Sequence, residues 1–145
     1  MRKAEAADAF DVAELYLAAR KAAAGVIPPL AHDDSSVITW LSARINNGDE
    51  CWISEDHLGI NAMMLLEHGW IDQLYVRPDC LGQGIGSEFI EHAKHLQPGG
   101  LQLWTFQSNE RARNFYGRHG FVEVEFTDGS QNEERSPDVR LEWKI

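Results

Sequence analysis

The segment Val76-Arg77-Pro78-Asp79-Cys80-Leu81-Gly82-Gln83-Gly84-Ile85-Gly86-Ser87 constrains this chain more than any other. Before it, Trp70 to Val76 reads as a strand that ends at Pro78. After it, Ile85, Phe89, Ala93 and Leu96 fall at steps of four, four and three, the spacing of one helix face. A strand therefore passes into a helix through a glycine-rich loop. Glycines there let the backbone come close to a ligand and adopt dihedrals that other residues avoid. The first N–H groups of the helix point outward unpaired, and the helix dipole adds partial positive charge, so the loop suits a pyrophosphate. A Gly-x-Gly-x-Gly stretch alone is equally what a tight strand-to-helix turn needs. Two other phosphate-binding patterns fail. A Walker loop needs a lysine that Gly86-Ser87 lacks. A dinucleotide fold wants an acidic residue about 20 positions on, and Leu101 to Gln107 holds no Asp or Glu.

The rest of the chain surrounds this unit with alternating patterns. Arg2 to Ala4 predicts a short strand, and Asp8 an N-cap ahead of Val12, Leu15, Tyr16 and Ala19 at helical spacing. Gly25, Pro28 and Pro29 end that helix. A second runs from Ser35 or Ser36 to Ile45, stopped by Asn47-Gly48. Cys51 to Ile53 and Ile60 to Leu66 read as strands joined by a turn at Asp56 to Gly59, and His68-Gly69 makes the next turn. Pro98-Gly99-Gly100 breaks the helix after the glycine loop. Then come a strand at Leu101 to Phe106, a helix at Glu110 to His119, a strand at Phe121 to Phe126, a polar loop at Asp128 to Pro137 and a strand at Val139 to Trp143. The order predicts an α/β (α+β) chain with a mixed sheet and helices on both faces. With 145 residues, no repeat and no linker, one domain over 1–145 is expected.

Composition narrows the partners. Lys and Arg total 13 and Asp and Glu 23, a formal charge of −10. That repels phosphate backbones, so nucleic acid is excluded as a partner, and it favours cationic substrates, although an acidic surface also serves solubility alone. No apolar run reaches bilayer length and the N-terminus carries no apolar signal core, so no membrane partner and a cytoplasmic setting are expected. The two cysteines, Cys51 and Cys80, lack metal-ligand spacing, so thiols without a metal are expected.

One strand downstream of the glycine loop stands Asn109-Glu110-Arg111-Ala112-Arg113-Asn114-Phe115-Tyr116-Gly117-Arg118-His119-Gly120-Phe121. With this helix, the strand Ile71 to Pro78 and the loop taken together, nearly the whole chain resembles the GNAT (GCN5-related N-acetyltransferase) superfamily. The resemblance implies a central sheet of about six to seven strands flanked by about four helices, and acetyl-coenzyme A as co-substrate. It implies that the backbone of Leu74, Tyr75 and Val76 pairs with the pantetheine arm, and that Gly82, Gln83, Gly84, Ile85, Gly86 and Ser87 bind the pyrophosphate through N–H groups. Asn109 would hydrogen-bond the cofactor as well as cap its helix. Tyr116 would sit by the sulfur as general acid, although its spacing from Ala112 also suits a core position.

The chain departs from the family pattern twice. Leu81 stands where Arg or Gln is usual, removing a side-chain contact to the pyrophosphate but not the N–H cradle. Some members carry a glutamate base on the strand before the loop, and that slot here is Trp70. Asp72, two residues on and on the same face, is the substitute, as a base acting directly or through water or else as a structural carboxylate. Glu67 and His68 read as solvated turn residues. Cys80, before a helix N-terminus, opens a covalent route that direct attack of the amine on the thioester makes unnecessary. The acidic loop offers Glu133 or Glu134 to a cationic amine, or is simply solvated. The leading expectation is an N-acetyltransferase for a small amine. The alternatives are a peptide N-terminal or lysine acetyltransferase and a non-catalytic coenzyme-A-binding regulatory module. A homodimer with Trp143 at its interface is a further expectation.

Overall fold

The computed structural model describes residues 1–145. In chain order, β1 (Arg2–Lys3) precedes α1 (Ala9–Ala22) and α2 (Asp34–Asn46). Three strands follow, β2 (Glu50–Asp56), β3 (Gly59–Glu67) and β4 (Trp70–Val76). Then come α3 (Ile85–Leu96), β5 (Leu101–Phe106), α4 (Glu110–Arg118), β6 (Val122–Phe126) and β7 (Asp138–Trp143). The sheet has seven strands in the order β1-β2-β3-β4-β5-β7-β6. Every neighbouring pair is antiparallel except β4 and β5, which the α3 crossover makes parallel.

Strand β3 holds the layers together because it is buried on both faces. Met63 and Leu65 join Val12, Tyr16, Val37 and Leu41 under α1 and α2. Ala62, Met64 and Leu66 join Phe89, Ile90, Tyr116 and Leu141 on the opposite side, under α3 and α4. The unbroken apolar run Ala62 to Leu66 is what such a strand requires. Both cysteines are free and buried; Cys51 sits in the first of these cores, where burial pushes its thiol up to about 12.

One irregularity sets the site. Leu65 pairs with Gln73 and Leu66 with Ile71, leaving Asp72 as an extra, bulged residue in β4. Alternation resets there. Tyr75 consequently packs under α1 and α2, while Ile71, Leu74 and Val76 pack under α3 and α4.

Three local expectations need correction. Strand β2 runs on through Ser54, Glu55 and Asp56, because ladder bonds use backbone groups whatever the side chain. Glu67 is not simply solvated: it is the last residue of β3 and accepts from Arg44 at 2.7 Å. Asp8 stands at the N-cap of α1 but does not cap it, since its carboxylate turns back to Arg2 (2.9 Å) and the Glu5 N–H (2.8 Å). Lys94 Nζ lies 5.0 Å from the Trp143 ring centroid, and that ring packs against Gly120.

Arg77, at the exit from β4, fixes the approach to the glycine loop. Its guanidinium donates to Asp56 and to Asp79, both at 2.6 Å. The hydrogen bond from Arg77 holds the Asp56 carboxyl below its ordinary range. Such a carboxylate adds stability that is complete above its ordinary pKa of about 4 and is lost as pH falls through the lower folded value. The unfolding midpoint is therefore expected to drop below about pH 4, and Asp56→Asn to make that acid limb shallower. Superimposable limbs for the two proteins would remove Asp56 from the account.

Candidate active site

Strands β4 and β5 touch in register only at Trp70 and Gln102, where the Gln102 N–H donates to the Gly69 carbonyl at 2.9 Å. Beyond that pair β5 is committed along its length to β7 and β4 to β3. A seam opens between them, and the β4 edge from Asp72 to Val76 faces it without a ladder partner. Leu74, Tyr75 and Val76 therefore offer backbone groups to an extended ligand arm, which can pair there like an added strand.

The glycine loop lies at the head of this seam. Gly82 (φ +80°) and Gly84 (φ +83°) are left-handed, and Gly84 is the N-cap of α3. A Cβ on either would meet nothing within 4 Å, so open space lies over the loop. At Gly86 an added Cβ would come within 3.2 Å of the Phe115 ring, so glycine here lets α3 and α4 approach. From Gly82 to Ser87 no backbone N–H donates to a protein acceptor; the first capped one is Glu88, to Gly84. Donors converging at a helix N-terminus fit a pyrophosphate. Ser87 additionally bonds His119 Nε2 at 2.9 Å. Leu81 is exposed at the loop's edge.

Asn109 and Tyr116 come from α4. The Asn109 side chain accepts from the Ala112 N–H at 3.2 Å, the expected cap. Tyr116 is buried between Phe115 and Phe121, with ring centroids 5.2 and 5.6 Å away. Its hydroxyl bonds to no other protein group, and burial pushes the phenol well above its ordinary range, so it stays protonated. Both readings of Tyr116 thus hold for different parts of one residue: the ring is core, and the O–H is free to donate. The covalent route through Cys80 loses its basis. That residue sits in a single helical turn at Pro78–Cys80, buried, and burial raises its thiol rather than favouring a thiolate.

On the other face of β4 a cavity of about 420 Å³ is lined by Tyr16 of α1, Leu30 and His32 of the α1–α2 connection, and Ser36, Val37 and Trp40 of α2. Gln73 of β4 and Glu133 and Glu134 of the β6–β7 loop complete it. Beside it, buried Arg20 donates to the Tyr75 hydroxyl and the Pro28 carbonyl, both at 3.3 Å, and lies 3.6 Å from Glu134. Asp72 is not free in this arrangement. It accepts from Arg44 at 2.9 Å, and Arg44 also binds Glu67 and Asp49 while lying 5.6 Å from the Trp40 ring centroid.

The sequence pointed to β4, the loop and α4. It passed over His32 and Gln73, and it read Tyr16 only as a core position. Alternation places Gln73 opposite Leu74, a signal that was present. His32 carried none, because only folding brings its connection beside the β6–β7 loop.

A family model described as an acetyltransferase (GNAT) domain matches residues 36–123. The peptidyl-lysine N-acetyltransferase YjaB of Salmonella typhimurium is 43% identical over 58 residues, and the match spans 40% of this chain and 39% of that relative's length. The apo form of YjaB from Escherichia coli superposes with a TM-score of 0.73 at 20% identity, over 98% of this chain and 95% of that one. The PaiA N-acetyltransferase of Thermoplasma acidophilum, solved in complex with coenzyme A, gives 0.73 at 18% identity over 99% and 97%.

Proposed function

The chain belongs to the GNAT acetyltransferase family, and from that premise we propose that it transfers an acetyl group from acetyl-coenzyme A to a small primary amine. The observation that carries this reading is the open seam between β4 and β5, headed by unpaired N–H groups at Gly82 to Ser87 and flanked by the free hydroxyl of Tyr116. A thioester carbonyl is the electrophile that the co-substrate supplies. The β4 edge at Leu74, Tyr75 and Val76 holds the pantetheine arm, and N–H groups there stabilise negative charge on the carbonyl oxygen. Residues Gly82 to Ser87 hold the pyrophosphate, and Asn109 adds a contact near the arm.

The amine attacks directly with its lone pair, the carbon–sulfur bond breaks, and Tyr116 gives its proton to the departing sulfur. The proton lost by the amine leaves through water and returns to the Tyr116 oxygen. Asp72 acts here as a positioning carboxylate that holds Arg44 and the β4 bulge. Asp72→Asn is accordingly expected to change kcat by less than about tenfold, whereas loss of a general base removes about 10²-fold or more. A drop of that second size, with an acid limb that disappears from the pH–rate profile, would restore Asp72 as the base.

The cavity beside Gln73 supports a small acceptor. Contacts between the β6–β7 loop and the α1 side, Glu133 to His32 at 3.0 Å and Glu134 to Arg20 at 3.6 Å, bound it. Acetylation of a peptidyl lysine is a second reading, favoured by the similarity to YjaB, a peptidyl-lysine N-acetyltransferase. Calorimetric titration with acetyl-coenzyme A, followed by thiol release on free amines and on lysine peptides, tests both. Binding with release on free amines supports the first, and release on peptides alone supports the second. Binding without release on any acceptor would leave a coenzyme-A-binding regulatory module.

A further inference from the structure

We infer that His119 is a positioning residue for the cofactor: it sets the Ser87 hydroxyl towards the pyrophosphate, so that coenzyme A and one proton bind together. This rests on the cradle in the reading above and deepens it. Counting from the Gly84 cap, Ser87 is the third residue of α3, a position whose side chain reaches back to the helix mouth. Its Oγ lies 2.9 Å from His119 Nε2. Leu81, exposed at the loop's edge, brings no polar group of its own.

His119 closes α4 and is held from several sides. Its ring centroid lies 4.9 Å from that of Phe115, the ring against which Gly86 lets α3 approach. Its carbonyl accepts from Lys94 Nζ at 2.6 Å, and its Nδ1 stands 3.6 Å from Glu91 Oε1. Glu91 and Lys94 of α3, themselves 3.7 Å apart, are the charged groups beside it. Arg118, the residue before it, is exposed, and β7 brings the Trp143 ring, which packs against Gly120 and carries Lys94.

These partners fix the hydrogen positions. In neutral His119 the carboxylate of Glu91 draws the ring proton to Nδ1, so Nε2 is an acceptor. Ser87 must then donate its hydroxyl proton to Nε2, and its lone pairs turn towards the loop. In the imidazolium Nε2–H donates instead, Ser87 Oγ accepts, and the hydroxyl proton is free for an anion in the cradle. Proton and pyrophosphate therefore favour each other. Affinity is complete at the acid end, where His119 of the free protein is already charged. It is lost as pH rises past the point where His119 of the complex gives up its proton.

The test is calorimetric titration with dephospho-coenzyme A, which lacks the ribose phosphate that itself titrates near neutrality, in buffers of different ionisation enthalpy. The dissociation constant is expected to rise about tenfold between about pH 6 and pH 8, as one charge-assisted hydrogen bond is lost. Near neutrality binding should take up a proton, to a limit of about one per site. His119→Gln puts a non-titrating N–H in place of Nε2, so its affinity should stay flat with pH and its proton uptake vanish. Ser87→Ala should lose both as well, and the wild-type proton count stands if either variant fails to fold. A histidine that only pins α4 to α3 would give a flat wild-type profile without uptake, which overturns the inference and leaves the cradle in place. Uptake that persists in both variants would overturn it too. No binding at any pH would remove the cradle itself, and the inference with it.

Discussion

Tyr116→Phe is expected to lower kcat by about 10²- to 10⁴-fold, the range for a lost general acid, with the dissociation constant for acetyl-coenzyme A nearly unchanged. The substitution removes one oxygen and keeps the ring. Contacts with Phe115, Phe121 and the core under α3 and α4 survive, so the unfolding midpoint should hardly move. Because burial raises the Tyr116 phenol, the acid stays protonated through neutral pH, and its activity is lost only as pH climbs through that raised value. The wild-type rate should therefore show no alkaline fall at the ordinary phenol pKa of about 10. Thiol-release kinetics on the first amine that turns over, beside calorimetry with acetyl-coenzyme A, measures both quantities. Wild-type kcat in the variant would take the general-acid role from Tyr116 and leave it a core residue.

Gly84→Val is expected to weaken acetyl-coenzyme A binding by about 10²-fold or more, as two or so charge-assisted hydrogen bonds to the pyrophosphate are lost. Gly84 holds φ +83° at the start of α3, and a left-handed L-residue costs about 1–2 kcal/mol. The added methyl groups would also fill the open space that the glycine leaves over the loop. These two effects separate experimentally. Backbone strain lowers the unfolding midpoint of the ligand-free protein, and a blocked cradle removes the thermal stabilisation that acetyl-coenzyme A confers. A variant that binds as tightly as wild type would show that the pyrophosphate lies elsewhere.

Much of this site was legible because its signals are local. Strand, glycine loop and helix occupy one unbroken stretch, and left-handed Gly82 and Gly84 leave a mark that no tertiary contact needs to supply. Asn109 was legible for the same reason, since a cap is an interaction across three residues. Asp72 was not. Its place on β4 was readable, but its partner Arg44 comes from α2, and the bulge that presents it depends on how β3 pairs. Glu67 stays half exposed, but its pairing with that same arginine was not readable either. Tyr116 was legible as a motif position, whereas the freedom of its hydroxyl depends on what packs around it.

By itself the sequence determined the order of elements and the glycine-rich passage from β4 into α3, because hydrophobic period and glycine dihedrals are properties of contiguous chain. Only the tertiary structure decided that β4 parts from β5 after a single register pair, that Asp72 is spent on Arg44, and that His32, Gln73 and Glu134 line one cavity. Those facts depend on contacts between residues far apart in the chain. Such contacts form when buried apolar faces bring distant segments together, and no local pattern records which charged groups then meet.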